Sequence, residues 1–120
     1  MTEFRAAAIK PSVSLDDLSK LDIRVGTIRS IDDVAGSKKL LRLTVSFGDH
    51  SRSILAGMKG ERDDPSEIVG LQCLFLINLE PKKMAGEVSE GMLLDIGYAD
   101  GIPPVLALPE KPVPDGARVG

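Results

Sequence analysis

Tryptophan is missing from this chain of 120 residues; tyrosine occurs once and phenylalanine three times. Proteins that hold extended single strands of nucleic acid stack successive bases on exposed aromatic platforms. Phe47 and Phe75 fall on apolar strand positions, so this composition leaves no such platforms. Cysteine also occurs once, as Cys73 inside the apolar run 71–79. A single cysteine excludes an internal disulfide, and its setting reads as a buried, inert thiol. The one histidine, His50, sits among charged residues in an expected turn and reads as a solvated turn residue. No Cys/His cluster has zinc-site spacing. No glycine-rich loop of the phosphate-binding or dinucleotide type is present. The acidic pairs Asp16-Asp17, Asp32-Asp33 and Asp63-Asp64 lie in expected helix starts and loops, where capping and solvation account for them. The expectation is a protein that is not an enzyme and needs neither metal nor cofactor. No apolar run approaches the roughly 20 residues of a membrane span. The start of the chain, with Glu3 and Arg5, lacks the apolar stretch of a secretory signal. These features predict a cytoplasmic protein.

A strong charge of either sign is lacking too: the formal net charge is −3. The distribution is nevertheless uneven. Between Arg24 and Lys59 stand seven basic residues (Arg24, Arg29, Lys38, Lys39, Arg42, Arg52, Lys59) and three acids (Asp32, Asp33, Asp49). The acidic excess falls in 61–67 and in the last quarter. A local basic face decides polyanion binding more than the overall sum. Composition by itself favours an ordinary solvated surface with charges of both signs.

What is present is a series of short strands. Residues 1–13 read as irregular. Ser14 caps a short helix over 15–21, with Leu15, Leu18 and Leu21 on its apolar side. A first strand spans 22–31, with Gly26 read as a bulge or bend. A loop over 32–39 follows. The second strand is the clearest: Leu41, Leu43, Val45 and Phe47 alternate with Arg42, Thr44 and Ser46. Gly48-Asp49 turns the chain into a third strand, 52–56. Asp64, Pro65 and Glu67 take the N-cap, N1 and N3 positions of a short helix ended by Gly70. A fourth strand, 72–79, is nearly all apolar and expected to be buried on both faces. A polar loop, 80–91, leads to a fifth strand, 92–96, and a last short one, 105–108, precedes a proline-punctuated tail. Three strands, a helix and two more strands predict an all-β OB-fold. It is a five-stranded barrel with a short helix between strands three and four, plus an N-terminal helix and a C-terminal extension. Residues 14–120 are expected to form one domain, with 97–120 as the extension.

The loop is the informative segment. It runs Asn78-Leu79-Glu80-Pro81-Lys82-Lys83-Met84-Ala85-Gly86-Glu87-Val88-Ser89-Glu90-Gly91-Met92. A plain hairpin connection needs only a few residues. In an OB-fold the loop joining strands four and five is one of the rims that meets oligonucleotides. Lys82 and Lys83 can neutralise phosphates, and Asn78 and Ser89 can bond base edges or a 2′-hydroxyl.

This segment resembles the signature of the tRNA-binding domain family, roughly N-L-x-P-x-K-(apolar)-x-G-x-x-S-x-G-M. Asp22-Ile23-Arg24-Val25-Gly26-Thr27-Ile28 is similar to the family's opening strand, and Arg52…Ala56-Gly57-Met58 to its third. The family includes free-standing dimeric tRNA-binding proteins, appendages or subunits of methionyl-tRNA synthetases, and a related export-chaperone branch. The resemblance implies structure-dependent tRNA binding by a homodimer, without catalysis, in possible service of a methionyl-tRNA synthetase; the alternative is a chaperone that binds unfolded polypeptides. It implies tRNA contacts at Asn78, Lys82, Ser89 and Met92, with Lys39 as the basic residue before strand two; Lys83 is added as the second phosphate-neutralising lysine of the loop. Arg24, Arg42 and Arg52 are added as basic strand positions, the last two expected to share one groove. Asp32 and Asp33 are expected off the basic face. Where the family often has a His-Pro pair and an acid, this chain has Val34-Ala35-Gly36-Ser37-Lys38. It keeps the Gly91-Met92 pair that the chaperone branch tends to lose. Leu15, Leu18, Leu21, Val105, Leu106 and Leu108 supply apolar faces for pairing two copies.

Overall fold

The main sheet is built around one long strand, β1 (Ile23–Asp33). The computed structural model describes residues 4–120. The first half of β1 pairs antiparallel with β4 (Gln72–Leu76) and its second half with β2 (Leu41–Ser46). β2 pairs in turn with β3 (Ser51–Ala56), and β4 with the two-residue β7 (Met92–Leu93). The five strands therefore run in the order β3-β2-β1-β4-β7. Curling this sheet brings its two ends together. The Glu90 N–H donates to Ser53 O at 2.9 Å, and the Leu55 N–H to the Ser89 hydroxyl at 2.9 Å. The result is an all-β, OB-like half-barrel with little helix.

The alternation read in the second strand is fully realised: Leu41, Leu43, Val45 and Phe47 are buried beneath intermediate neighbours. They meet Ile28, Ile54, Cys73, Phe75 and Ile77 in the core. Phe47 and Phe75 pack edge to face, their centroids 5.5 Å apart. Burial pushes the Cys73 thiol up to about 11, which makes it unreactive.

Several elements differ from expectation for stated reasons. Gly26 pairs regularly with Cys73; the irregularity in β1 falls between Ile28 and Ser30. Gly26 is needed for closeness instead, since a Cβ there would stand 2.6 Å from Val45 Cγ1 and 2.7 Å from Phe47 Cε1. β4 is not buried on both faces. It alternates, with Cys73 and Phe75 inward and Gln72, Leu74 and Leu76 half-buried, because only one side meets the core. The helix before it is one 3-10 turn, Pro65–Ile68. Asp64 caps the Ser66 N–H, while Glu67 turns to Arg62 at 3.3 Å. The first helix, α1 (Leu15–Ser19), is capped by Ser14 as read.

The loop 80–91 is itself structured. It holds a hairpin of β5 (Lys82–Met84) and β6 (Glu87–Ser89). The expected fifth strand breaks into β7 and β8 (Asp95–Ile96), and β8 pairs with β9 (Val105–Leu106). The tail then returns to β1. Val25 N–H donates to Ala117 O at 2.9 Å and Val119 N–H to Ile23 O at 2.8 Å. This covers the edge of β1 that β2 leaves open. Asp115 fixes the tail by accepting from Thr27 Oγ1 at 2.6 Å and Gln72 Nε2 at 2.9 Å.

Candidate nucleic-acid interface

The hairpin turn is made by Ala85 (φ 50°) and Gly86 (φ 82°), both left-handed, as a two-residue connection between twisted strands requires. Its register is Lys82 with Ser89, Lys83 with Val88 and Met84 with Glu87. Because faces alternate along a strand, the neighbouring lysines lie on opposite sides of the ribbon. Lys83 shares its side with exposed Val88. Lys82 shares its side with half-buried Met84 and Glu87 and with buried Ser89, the side turned to the barrel.

The residues singled out in the sequence divide into two groups. Lys39, Lys82, Lys83 and Met92 are exposed. With Lys38, the three lysines take part in none of the ion pairs formed among the described residues. The others are bonded within the fold. Asn78 Oδ1 accepts from the Asp22 N–H at 2.8 Å and its Nδ2 donates to Lys20 O at 2.6 Å, clamping the end of α1 to the end of β4. Ser89, 4% exposed, accepts from Leu55 N–H and donates to Gly91 O at 2.9 Å, so its hydroxyl closes the barrel. Arg24 holds the Asp22 carboxylate at 2.9 and 3.1 Å, and Arg118 approaches the same carboxylate at 3.2 Å. The Arg24 hydrogen bond, opposed by burial and assisted by Arg118, keeps the Asp22 carboxyl below the usual range.

Arg42 and Arg52 do not share a groove. Arg42 stands opposite Leu55 and Arg52 opposite Val45 in the β2–β3 ladder, an odd offset that puts them on opposite faces. Arg42 Nη1 donates to both Glu87 oxygens at 2.8 and 2.9 Å, and its Nη2 lies 3.7 Å from Asp32. Asp33 likewise approaches Lys59 at 3.2 Å. Asp32 and Asp33 thus accompany the basic residues instead of lying away from them. Arg52 braces the barrel mouth, donating from Nη1 to Ile77 O at 2.8 Å and to Glu90 O at 3.1 Å. Its Nε donates to Nε2 of His50, whose Nδ1 is 2.6 Å from Asp49 and whose ring stacks on Phe47. His50 is therefore a half-buried bridge, not a free turn residue; the spacing Asp49-His50-x-Arg52 is the only trace of this in the sequence.

The lysines without an ion-pair partner among the described residues lie at the start of β2 and on the hairpin. Lys39 leads into β2, and its carbonyl accepts from the Lys59 N–H at 3.0 Å. Arg42 follows on β2, and Glu87 joins it to the hairpin that carries Lys82 and Lys83. Met92 opens elsewhere, onto a cavity of about 310 Å³ lined also by Leu55, Arg62, Tyr98 and Leu106. Glu61 and Asp95 also line it, and Arg62 lies 3.8 Å from Glu61. Among the described residues, no group of three or more His, Cys, Asp or Glu side chains gathers in a metal-binding arrangement. No helix among them is long and apolar enough to cross a membrane.

An OB-like barrel with a lysine-bearing hairpin on its rim defines a class of binding module, and comparison with known proteins narrows it. The family model described as "Putative tRNA binding domain" matches residues 23–118. The chain belongs to this tRNA-binding domain family. It is 40% identical over 116 residues to a methionine–tRNA ligase of Parabacteroides distasonis, a match covering 97% of this chain and 17% of that protein. It is 44% identical over 87 residues to the corresponding ligase of Chlorobium luteolum, covering 72% of this chain and 12% of the ligase. The chain thus spans less than a fifth of the length of these relatives. Among solved structures, it is similar to a MetRS-related protein from Pyrococcus horikoshii, with 33% identity, TM-score 0.84, and coverage of 92% of this chain and all of that one. It is also similar to the chaperone CsaA of Bacillus anthracis, with 26% identity, TM-score 0.77 and coverage of 92% of this chain.

Proposed function

We propose that the protein binds tRNA as a cytoplasmic homodimer, without catalysis, and presents it to a methionyl-tRNA synthetase. The observation that carries the reading is the set of exposed lysines, Lys39, Lys82 and Lys83, that have no ion-pair partner among the described residues and stand at the start of β2 and on the hairpin that Glu87 ties to Arg42. An exposed lysine is a point charge suited to phosphates, which position an RNA without reading its sequence. The scarcity of exposed aromatic rings favours a folded RNA held by shape and backbone over an unwound strand. Membership of a tRNA-binding domain family and the likeness to ligases specific for methionine and tRNA support the choice of partner.

A second reading, binding of unfolded polypeptide, is favoured by the cavity beside Met92, whose lining includes Leu55, Leu93 and Leu106, and by the likeness to CsaA. One titration series separates the two. With roughly three to six phosphate contacts per subunit, tRNA affinity falls about tenfold or more between about 50 and 200 mM salt. Polypeptide binding through apolar burial is held or strengthened by sulfate. Affinity for tRNA that ignores salt, or an absence of tRNA binding beside firm polypeptide binding, overturns the first reading.

A further inference from the structure

The contact of one Arg42 nitrogen with both oxygens of Glu87 asks for a function. An isolated two-stranded hairpin is marginal in water and needs anchors. At its base this hairpin has Ser89 and Glu90 bonded to β3. Towards its tip, one position before Ser89 on the same side of the ribbon, it has Glu87 bonded to Arg42. Both carboxylate oxygens converge on one guanidinium nitrogen, and Asp32 stands near the other terminal nitrogen. Two acidic groups therefore occupy the directions from which a phosphate would reach Arg42, beside the hairpin whose lysines have no ion-pair partner among the described residues.

We infer that Glu87 holds the place of an RNA phosphate: the carboxylate masks Arg42 in the free protein, and a backbone phosphate displaces it when RNA binds. The inference rests on the tRNA-binding reading and names how the same site is controlled. Three observations carry it. The pair is about one-third exposed on each side, 33% for Arg42 and 29% for Glu87, so it is screened and easily exchanged. Glu87 contributes only its side chain, so rotation about its side-chain bonds releases Arg42 without breaking the β5–β6 ladder. A guanidinium donates to phosphate oxygens as it does to carboxylate oxygens, and here a single terminal nitrogen serves Glu87, so the fork that would grip a phosphate with two nitrogens is still unused. Lys82, on the same side of the ribbon as Glu87, gives an arriving phosphate a second cation. The free face then offers its lysines first and its arginine only to a ligand that can evict a carboxylate, which discriminates a dense polyanion from a dilute one.

The test compares tRNA affinity of the wild type with Glu87→Gln, and with Glu80→Gln as the control for removing one negative charge. Glu80 is exposed and engages in no ion pair among the described residues. Masking predicts that Glu87→Gln binds tRNA roughly three- to fivefold more tightly than Glu80→Gln, the scale of a partly exposed ion pair. Arg42→Gln should also cost more affinity in the Glu87→Gln background than in the wild type. If Glu87→Gln binds no better than Glu80→Gln, or binds worse because the hairpin has lost its anchor, the inference is overturned while the tRNA reading stands. If the wild type binds no tRNA, the functional reading falls and the inference falls with it.

Discussion

Gly26 shows how a single hydrogen atom sets the thickness of this barrel. Its missing side chain lets β1 lie directly against Val45 and Phe47. Gly26→Ala must push these packed groups apart and should cost about 1–3 kcal/mol, the usual cost of overfilling a core. Urea unfolding checks this: the midpoint should fall with an unchanged slope. The sequence marked Gly26 as special but misassigned the reason, because a bulge and a close approach leave the same interruption in an alternating strand. The signature residues behave similarly. Asn78, Ser89 and Arg52 were read from residue type as groups able to meet a ligand, and in the fold each of them holds two parts of the chain together. A hydrogen-bonding side chain in a loop gives no sign of whether its partner will be backbone or ligand. The partner of Arg42 lies 45 residues further on, and no local pattern announces such a pairing. Burial, by contrast, was legible wherever a strand alternated, because it depends only on neighbours two positions apart.

At the scale of elements, the succession of strands and the short helical turn before β4 followed from the sequence, and the structure within the 80–91 loop did not. Short three-residue strands carry too little alternation to stand out, and the turn lacks the Asn-Gly or Asp-Gly pair that marks such hairpins. Ala85 occupies the left-handed position that asparagine, aspartate or glycine adopts at less cost. Ala85→Asn should therefore stabilise the protein by up to about 1 kcal/mol. A thermal melt should show a rise of a few degrees; an unchanged or lower midpoint would mean that the turn conformation is not limiting. The opposite sides taken by Lys82 and Lys83 also belong to this scale, since adjacent letters in a strand are distant neighbours on its surface.

Large apolar side chains of the whole molecule stand exposed outside its core. Leu15, Leu18 and Leu21 near α1, and Ile96, Tyr98, Ile102, Val105 and Leu108 near β8 and β9, are all exposed. None of these residues belongs to the barrel core, so a second copy can cover them without disturbing it. Sedimentation at micromolar concentration should give a dimer. Replacing Val105 and Leu108 with serine should shift the equilibrium toward monomer, and a wild type that sediments only as monomer would remove the pairing from the proposed function. Paired barrels would set two groups of lysines before one large RNA and raise its affinity beyond that of either group.

The bond from Val119 to Ile23 brings the path into the barrel and the path out of it to one place on the surface. A fold closed in this way hangs from a single point, like a pendant from its clasp. Segments leading to Ile23 and away from Val119 would depart side by side, so a larger body could be joined at that one place. Such attachment demands no rearrangement of the barrel, and the same module can serve alone or as a small fraction of a much longer chain.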